Sequence, residues 1–381
     1  MKKGYLTGLV TLSAVLLMGC AADGASDASS DTTAETETSD SVVSDKEADE
    51  DVTITTANGA NAKAEIPADD TVYMRQLYAA PHGEKSVAVV TVMMRGDTIL
   101  SAEIDEFQYL AASDEWTGVV NSDKKFGENY NDGQLLISKQ ENDDAYSDLM
   151  AERGDLTGSW GNNIKAITDF AVGKTVEELK ETTEELSDEA TEISDVVSGA
   201  TFVDTKGYLE AIIEAAESGA LSVGMETDSD TLTQAQLIAA PHGEQSVAIV
   251  TVALTGETIA AVFMDELHFL SADSYAGVPN SDLGFGEGAV SGQVLASKLA
   301  NDEAYSDLMK ANRDATYTWS ENIQAIQSAA IGSTIAEVEA LIAELSGQSD
   351  DDSPEDVVSG ATFVDTAGYL QAIVDAAAQA K

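Results

Sequence analysis

The sequence predicts an α+β protein of two repeated domains, each a mainly antiparallel β-sheet packed on helices, after a disordered N-terminal tether. Three observations carry this prediction. An acidic, low-complexity segment lies near the N-terminus, a tandem repeat follows with a spacing of about 160 residues, and hairpin and helix patterns recur at matching places in both copies. A repeat of this length is too long for a solenoid unit and suits a duplicated domain.

The N-terminal residues have the pattern of an export signal. Lys2 and Lys3 supply positive charge, and the apolar stretch 6–18 is shorter than the roughly 20 residues that cross a bilayer. The sequence Leu17-Met18-Gly19-Cys20 resembles the lipobox of bacterial lipoproteins. Residues 1–19 are therefore interpreted as a lipoprotein signal peptide and Cys20 as the lipidated residue. This predicts a protein on the extracytoplasmic face of the cell membrane, held there through its lipid only.

The composition disfavours several classes of binding partner and functional site. A formal net charge of −50 opposes binding to nucleic acid or anionic lipid headgroups. Cys20 is the only cysteine, so the mature chain has no thiol for a disulfide, an iron–sulfur cluster or a nucleophile. Three histidines also disfavour a His-based metal site, and no metal is predicted. Any redox chemistry therefore requires an organic cofactor.

Residues 20–70 are predicted to form a lipidated, acidic, disordered spacer. They are rich in Ser, Thr, Ala, Asp and Glu and poor in aromatic residues, so they bury too little apolar area to offset the entropy of ordering. About fifty such residues have a root-mean-square reach of roughly 40 Å. The spacer would lift the globular part away from a membrane.

The repeat defines the two domains. Ala80–Glu84 recurs as Ala240–Glu244, and Tyr146–Met150 recurs as Tyr305–Met309. The predicted domains are 71–222 and 229–381, joined by a short segment at 223–228. On a flexible stem, each domain is expected to move separately.

Within each copy, hairpins are predicted before helices. The hairpins span 86–104 and 246–264, with turns at 95–97 and 255–257. The predicted helical segments of the first copy are 133–151, 160–170, a segment that opens at Thr175, and 207–217, and the last helix of the second copy is 368–378. Capping boxes are predicted for the pairs Thr175 with Glu178 and Thr334 with Glu337.

One segment carries the functional signal. Asp195–Thr205 recurs without change as Asp356–Thr366. Its core, Asp-Val-Val-Ser-Gly-Ala-Thr, resembles the flavinylation motif of the FMN-binding domain family, whose pattern is Asp-x-x-Ser/Thr-Gly-Ala-Thr/Ser. The whole arrangement is most similar to the tandem-domain flavoprotein lipoproteins of extracellular electron transfer.

The resemblance implies two covalent FMN groups, joined by phosphoesters to Thr201 and Thr362. It implies an FAD-dependent FMN transferase as a partner. The implied recognition residues are Asp195, Ser198, Gly199, Ala200, Asp356, Ser359, Gly360 and Ala361.

The residues around the motif are compatible with this interpretation. A helix is predicted to start just after it, with Asp204 or Thr205 as cap, and a helix N-terminus favours a nearby phosphate. His82 and His242 lie in matching Pro-His-Gly turns and could touch the flavin or a partner, although a turn role is favoured. Ordinary core packing is the favoured role of each aromatic residue near the motif. The candidates to cover the flavins are Tyr130, Trp160, Phe202, Tyr208, Phe285, Trp319, Phe363 and Tyr369.

The predicted function is electron transfer by a carrier that is not itself an enzyme. By the resemblance, a membrane quinone-linked dehydrogenase supplies electrons and extracellular acceptors receive them. Two other interpretations stay open. The chain could be a surface binding lipoprotein without a cofactor, or an extracellular flavin reductase with a specific organic acceptor.

Overall fold

A computed structural model describes residues 51–55, 61–65, 70–153, 158–186, 192–313, 315–349 and 352–380. The predicted signal peptide, the lipidation site Cys20 and most of the spacer lie outside the described residues. Within the predicted spacer, strands β1 (Asp51–Thr55) and β2 (Asn61–Glu65) pair as an antiparallel hairpin.

The rest of the described chain repeats one order of elements, except that the helix α4 and the strand β7 of the first copy have no α-helix or strand as counterpart in the described part of the second copy. The elements of the first copy are β3 (Thr71–Ala79), β4 (Ser86–Arg95), β5 (Thr98–Ala111), β6 (Gln134–Ser138), α1 (Asp143–Arg153), α2 (Trp160–Ala171), α3 (Val176–Glu185), α4 (Ile193–Val196), α5 (Thr205–Ser218) and β7 (Ala220–Glu226). The elements of the second copy are β8 (Leu232–Ala239), β9 (Ser246–Thr255), β10 (Thr258–Ser271), β11 (Gln293–Ser297), α6 (Asp302–Arg313), α7 (Trp319–Ala330), α8 (Ile335–Ser346) and α9 (Thr366–Gln379).

Each copy forms its own antiparallel sheet. The first sheet has the order β6-β5-β4-β3-β7 and the second has the order β11-β10-β9-β8. The long β4–β5 hairpin pairs Ser86 with Gln108, and the β9–β10 hairpin pairs Ser246 with His268. The fold is therefore α+β with two repeated antiparallel sheets packed on helices.

Each sheet buries one face under its own helices. In the first copy, Val90 and Val92 of β4 lie in a core with Ile167 of α2 and Ile212 of α5. Val250, Val252, Ile326 and Ile373 form the matching core in the second copy. The terminal helices α5 and α9 owe their burial to apolar residues repeated at three- and four-residue intervals, which place them on one helix face.

The opposite faces of the two sheets pack against each other. Val87 and Val89 of β4 share a core with Val247 and Ile249 of β9, and both pairs are essentially buried. The two copies also exchange matching backbone hydrogen bonds: the Phe126 N–H donates to the Glu244 carbonyl at 2.8 Å, and the Phe285 N–H donates to the Glu84 carbonyl at 2.7 Å. Both copies belong to one compact unit.

The shared core contradicts the expectation that the two domains move separately. Strands β4 and β9 are buried on both faces, which makes their apolar residues nearly continuous along the chain. Continuous apolar runs show that both faces are covered but not what covers them. The segment predicted as a linker is also largely strand, because β7 runs through Glu226 and pairs with β3.

Most local predictions agree with the structure. The two hairpins form at the predicted turns, and both capping boxes are present, on α3 and α8. The helix predicted over 133–151 is wrong in its first half, because residues 134–138 form the edge strand β6 and the helix begins only at Asp143. An apolar run as short as Leu135-Leu136-Ile137 does not distinguish a strand from a helix turn.

A search of the described helices for a membrane-spanning segment found none with the necessary length and apolar character.

Candidate functional site

The Ser-Gly-Ala-Thr segment forms an exposed turn in both copies. Ser198 and Gly199 are exposed, whereas Ala200 is fully buried beneath them. Gly199 has a φ of +92° and Gly360 a φ of +86°, a backbone conformation that residues with a Cβ rarely adopt. The glycine thus lets the chain reverse so that the alanine anchors the turn and its neighbours face solvent.

The other predicted recognition residues show the same pattern, in which the alanine is buried and the aspartate and serine are exposed. Asp195, Asp356 and Ser359 are exposed, and Ala361 is buried. Ser359 and Gly360 also line a shallow groove beside α7 and α8. The predicted recognition residues therefore form one accessible surface in each copy, with the alanine as its internal support.

Thr201 is held by a side chain that the sequence analysis missed. Oδ1 of Asn163 on α2 accepts hydrogen bonds from the Thr201 backbone N–H at 2.6 Å and from its hydroxyl at 3.0 Å. Nδ2 of Asn163 donates to the Ser159 carbonyl, so Oδ1 is the atom that faces the turn. Asn322 makes the same two contacts with Thr362 at 2.6 and 3.0 Å. Both predicted attachment threonines thus have one fixed position.

The helix after the motif packs tightly on the Pro-His-Gly turn. Asp204 occupies the N-cap position of α5 but makes no side-chain cap hydrogen bond. Its Oδ2 lies instead 2.7 Å from Nδ1 of His82, and Asp365 and His242 form the same pair at 2.8 Å. A Cβ on Gly207 would lie 2.8 Å from the Pro81 carbonyl oxygen, so glycine permits this close approach. Asp204 thus occupies the N-cap position, one of the two predicted positions, but its carboxylate contacts His82 instead of the N–H groups of the helix.

A cleft of about 820 Å³ opens beside Thr201. Three of the four aromatic residues predicted to cover the first flavin, Trp160, Phe202 and Tyr208, line it. Tyr130 does not, because it lies in the core between the copies, where its ring is 5.9 Å from that of Phe269. Phe285 lies in that same core, so core packing, the favoured role, describes both residues. Sequence alone does not distinguish an aromatic residue in an interface from one that lines a cleft.

Lys139, which lines the cleft, belongs to a buried ion pair. Nζ of Lys139 lies 2.6 Å from Oε2 of Glu106, and both side chains are almost completely buried. Lys298 and Glu266 form the equivalent pair at 2.8 Å. The sequence contained a signal for these pairs, since Asp-Glu and Ser-Lys each recur at the repeat spacing, as residues 105–106 and 265–266 and residues 138–139 and 297–298. It was masked by the abundance of other charged residues.

The carboxyl group of Asp105, the residue before Glu106, is also buried, and its pKa is raised. Burial raises the pKa of Asp105 to about 6, although hydrogen bonds from the Ser138 hydroxyl and the N–H groups of Gln140 and Glu106 act to lower it. The folded protein therefore holds this proton more tightly than the unfolded chain does. Stability from this group is present below pH 4 and is lost as the pH rises to about 6.

An Asp105→Asn variant should lack this component of pH dependence. We expect the wild type to lose up to about 3 kcal/mol relative to the variant between pH 4 and pH 7, since one pKa unit corresponds to about 1.4 kcal/mol. Urea unfolding of both proteins at the two pH values measures the difference. Asp132→Asn, at an exposed position, is the control. Equal pH dependence of the Asp105→Asn variant and the wild type would contradict this assignment.

Among the described residues, no group of three or more His, Cys, Asp or Glu side chains is arranged to hold a metal ion.

Comparison of the chain with protein-family models, with curated proteins and with solved structures gives no match. The case for a function therefore rests on the residues of this chain.

Proposed function

We propose that this protein is a lipid-anchored, extracytoplasmic electron carrier with one FMN esterified to Thr201 and one to Thr362. The observation that carries the proposal is the repeated placement of these threonines. Each lies in an identical Ser-Gly-Ala-Thr turn and is held by an asparagine, from α2 in the first copy and from α7 in the second. In the first copy the threonine also borders a cleft lined by aromatic residues.

The exposure of the turn supports covalent attachment by a separate enzyme. An FAD-dependent FMN transferase would break the anhydride bond of FAD, form the bond between the FMN phosphorus and the threonine oxygen, and release AMP and the hydroxyl proton. Such an enzyme needs room to approach. Val203, two residues after Thr201, is 85% exposed, and its counterpart Val364 is 87% exposed. Apolar side chains this exposed leave the motif open to a partner.

The cleft has the properties that a flavin needs. Its volume lies within the range of about 300–1,000 Å³ that small-molecule sites occupy. The indole N–H of Trp160 is buried and has no hydrogen-bond partner among the described residues, and neither has that of Trp319. A buried donor in this state favours a ligand that supplies an acceptor. The cleft is lined by three basic residues, Lys85, Lys139 and Arg153, and by two acidic ones, Glu84 and Asp204. Cations therefore outnumber carboxylates there, which favours an anionic phosphate within a net-acidic protein.

The flavins would supply the redox chemistry and the protein would supply position and electrostatics. Electrons would enter from a membrane quinone-linked dehydrogenase and leave to acceptors outside the cell. The spacer before the first repeat would keep the carrier near its donor and raise the effective concentration of each for the other. Because the two sheets share a core, both flavins would travel as one unit.

Intact mass of the wild-type protein, coexpressed with an FAD-dependent FMN transferase, tests this proposal. We expect two FMN adducts and flavin fluorescence that stays with the protein band in a denaturing gel. Protein expressed without the transferase is the control and should carry none. A colourless, unmodified product from coexpression would leave the cofactor-free binding lipoprotein as the better interpretation.

The same flavin-loaded protein can be used to distinguish an electron carrier from a reductase. Rapid-mixing measurements of flavin reoxidation with several acceptors should give second-order rates that vary smoothly with acceptor potential. A single acceptor with a saturable rate would instead indicate an extracellular flavin reductase.

A further inference from the structure

Each copy keeps one buried ion pair beneath the proposed flavin site. The side chains of Lys139 and Glu106 are 1% and 0% exposed, and those of Lys298 and Glu266 are equally buried. The copies differ at many nearby positions, including Lys85 against Gln245. The retention of both pairs through this divergence calls for a physical reason.

Of the two partners of the pair, Lys139 lines the cleft and Glu106 does not. Lys139 lines the cleft together with Ser86, Tyr208 and Thr201, whereas Glu106 lies behind them. The Ser86 hydroxyl donates to Oε1 of Glu106 at 2.9 Å, and the Tyr208 hydroxyl donates to Oε2 at 3.0 Å. The Glu106 carboxylate thus accepts hydrogen bonds from residues that line the cleft, and Lys139 separates it from the cleft together with them.

Both partners are charged at neutral pH. Burial acts to raise the pKa of Glu106, but the Lys139 ammonium and the hydrogen bonds outweigh it and hold the pKa below its usual value. Burial acts to lower the pKa of Lys139, but Glu106 and Tyr146 outweigh it and raise the pKa. The same balance holds for Glu266 and Lys298. A lysine that stays charged, with its counter-charge on the buried Glu106 carboxylate, therefore borders the first cleft.

A gain in folding stability is a weak explanation for a buried ion pair. The loss of hydration on burying two charges often equals or exceeds their mutual attraction, so an apolar pair of similar volume can serve as well. A buried cation is more valuable to a ligand that carries negative charge. Screening by salt weakens the field of exposed carboxylates beyond roughly 8–10 Å, but it affects a buried charge much less.

We propose that Lys139, which lines the cleft beside Thr201, and Lys298, its equivalent in the second copy, raise the reduction potentials of the flavins attached to Thr201 and Thr362, an inference that rests on the proposed function. A flavin ring that takes up two electrons from a donor and one proton from solvent gains one negative charge. A cation in the cleft wall stabilises that charge and so favours the reduced ring. In a protein with a net charge of −50, this local cation offsets a surface that disfavours reduction.

The test isolates one flavin and removes one ion pair. In a Thr362→Val background, which leaves only the Thr201 site, the Lys139→Met, Glu106→Gln double variant removes both charges and leaves no unpaired buried ion. We expect its flavin to prefer the oxidised state at least tenfold more than in the background protein. For a two-electron couple this is a fall of about 30 mV in midpoint potential. Spectroelectrochemical titration measures it.

Two matched variants separate charge from packing. Lys139→Arg keeps the cation and should shift the potential by less than half as much. Lys124→Met removes a half-exposed lysine that is paired with Asp123, and it should leave the potential unchanged. The mirror experiment, Lys298→Met with Glu266→Gln in a Thr201→Val background, should lower the potential of the second flavin.

The mirror experiment also covers the case in which the first double variant fails to fold, because it removes the equivalent ion pair from the other copy. An unchanged or higher potential in a folded double variant overturns the inference. Absence of flavin from the background protein, seen by intact mass, would instead count against the proposed function.

Discussion

We expect the Thr201→Val, Thr362→Val double variant to carry no flavin and each single variant to carry one. Valine has nearly the shape of threonine but lacks the oxygen that would be esterified. The fold should persist, because the backbone N–H of Thr201 keeps its 2.6 Å hydrogen bond to Asn163 and the equivalent bond to Asn322 remains at Thr362. Intact mass after coexpression with the transferase counts the adducts.

Two controls sharpen this result. Thr201→Ser restores a hydroxyl at the same position and should recover the second adduct, since the motif pattern accepts either residue. Thr117→Val changes an exposed threonine outside the motif and should leave both adducts in place. Two adducts in the double variant would show that the flavins are attached elsewhere and would remove the basis for the proposed function.

We expect Phe126→Ala to destabilise both copies together. The Phe126 side chain is fully buried, its ring lies 4.9 Å from that of Phe269 in the other copy, and its N–H donates across the interface to Glu244. Truncation of a buried phenylalanine costs about 3–5 kcal/mol. Since the core between the sheets contains residues of both copies, this loss should lower the stability of each.

Tryptophan fluorescence reports the coupling. In a Trp116→Phe, Trp160→Phe background, Trp319 is the only tryptophan and reports on the second copy. Its urea transition should shift when Phe126 of the first copy is truncated. Val172→Ala, at a half-exposed position, should change stability by less than about 0.5 kcal/mol. If Phe126→Ala left the urea transition of Trp319 unchanged, the two copies would unfold independently.

The local elements could be predicted because they depend on local patterns. The β4–β5 and β9–β10 hairpins follow from apolar runs around Arg95-Gly96-Asp97 and Thr255-Gly256-Glu257, and Gly96 and Gly256 both have positive φ. The capping boxes of α3 and α8 follow from Thr and Glu three residues apart. The edge strand β6 was missed because its apolar run is too short to show a period.

The sequence by itself determined the duplication, the α+β class and the two threonines in their Ser-Gly-Ala-Thr turns. Only the tertiary structure decided what surrounds them. Asn163 reaches Thr201 across 38 residues, Lys139 reaches Glu106 across 33 and His82 reaches Asp204 across 122. The packing of one sheet against the other is equally absent from any local pattern. Such contacts depend on how distant segments share a core, whereas residue periodicity reports only which face of each segment is buried.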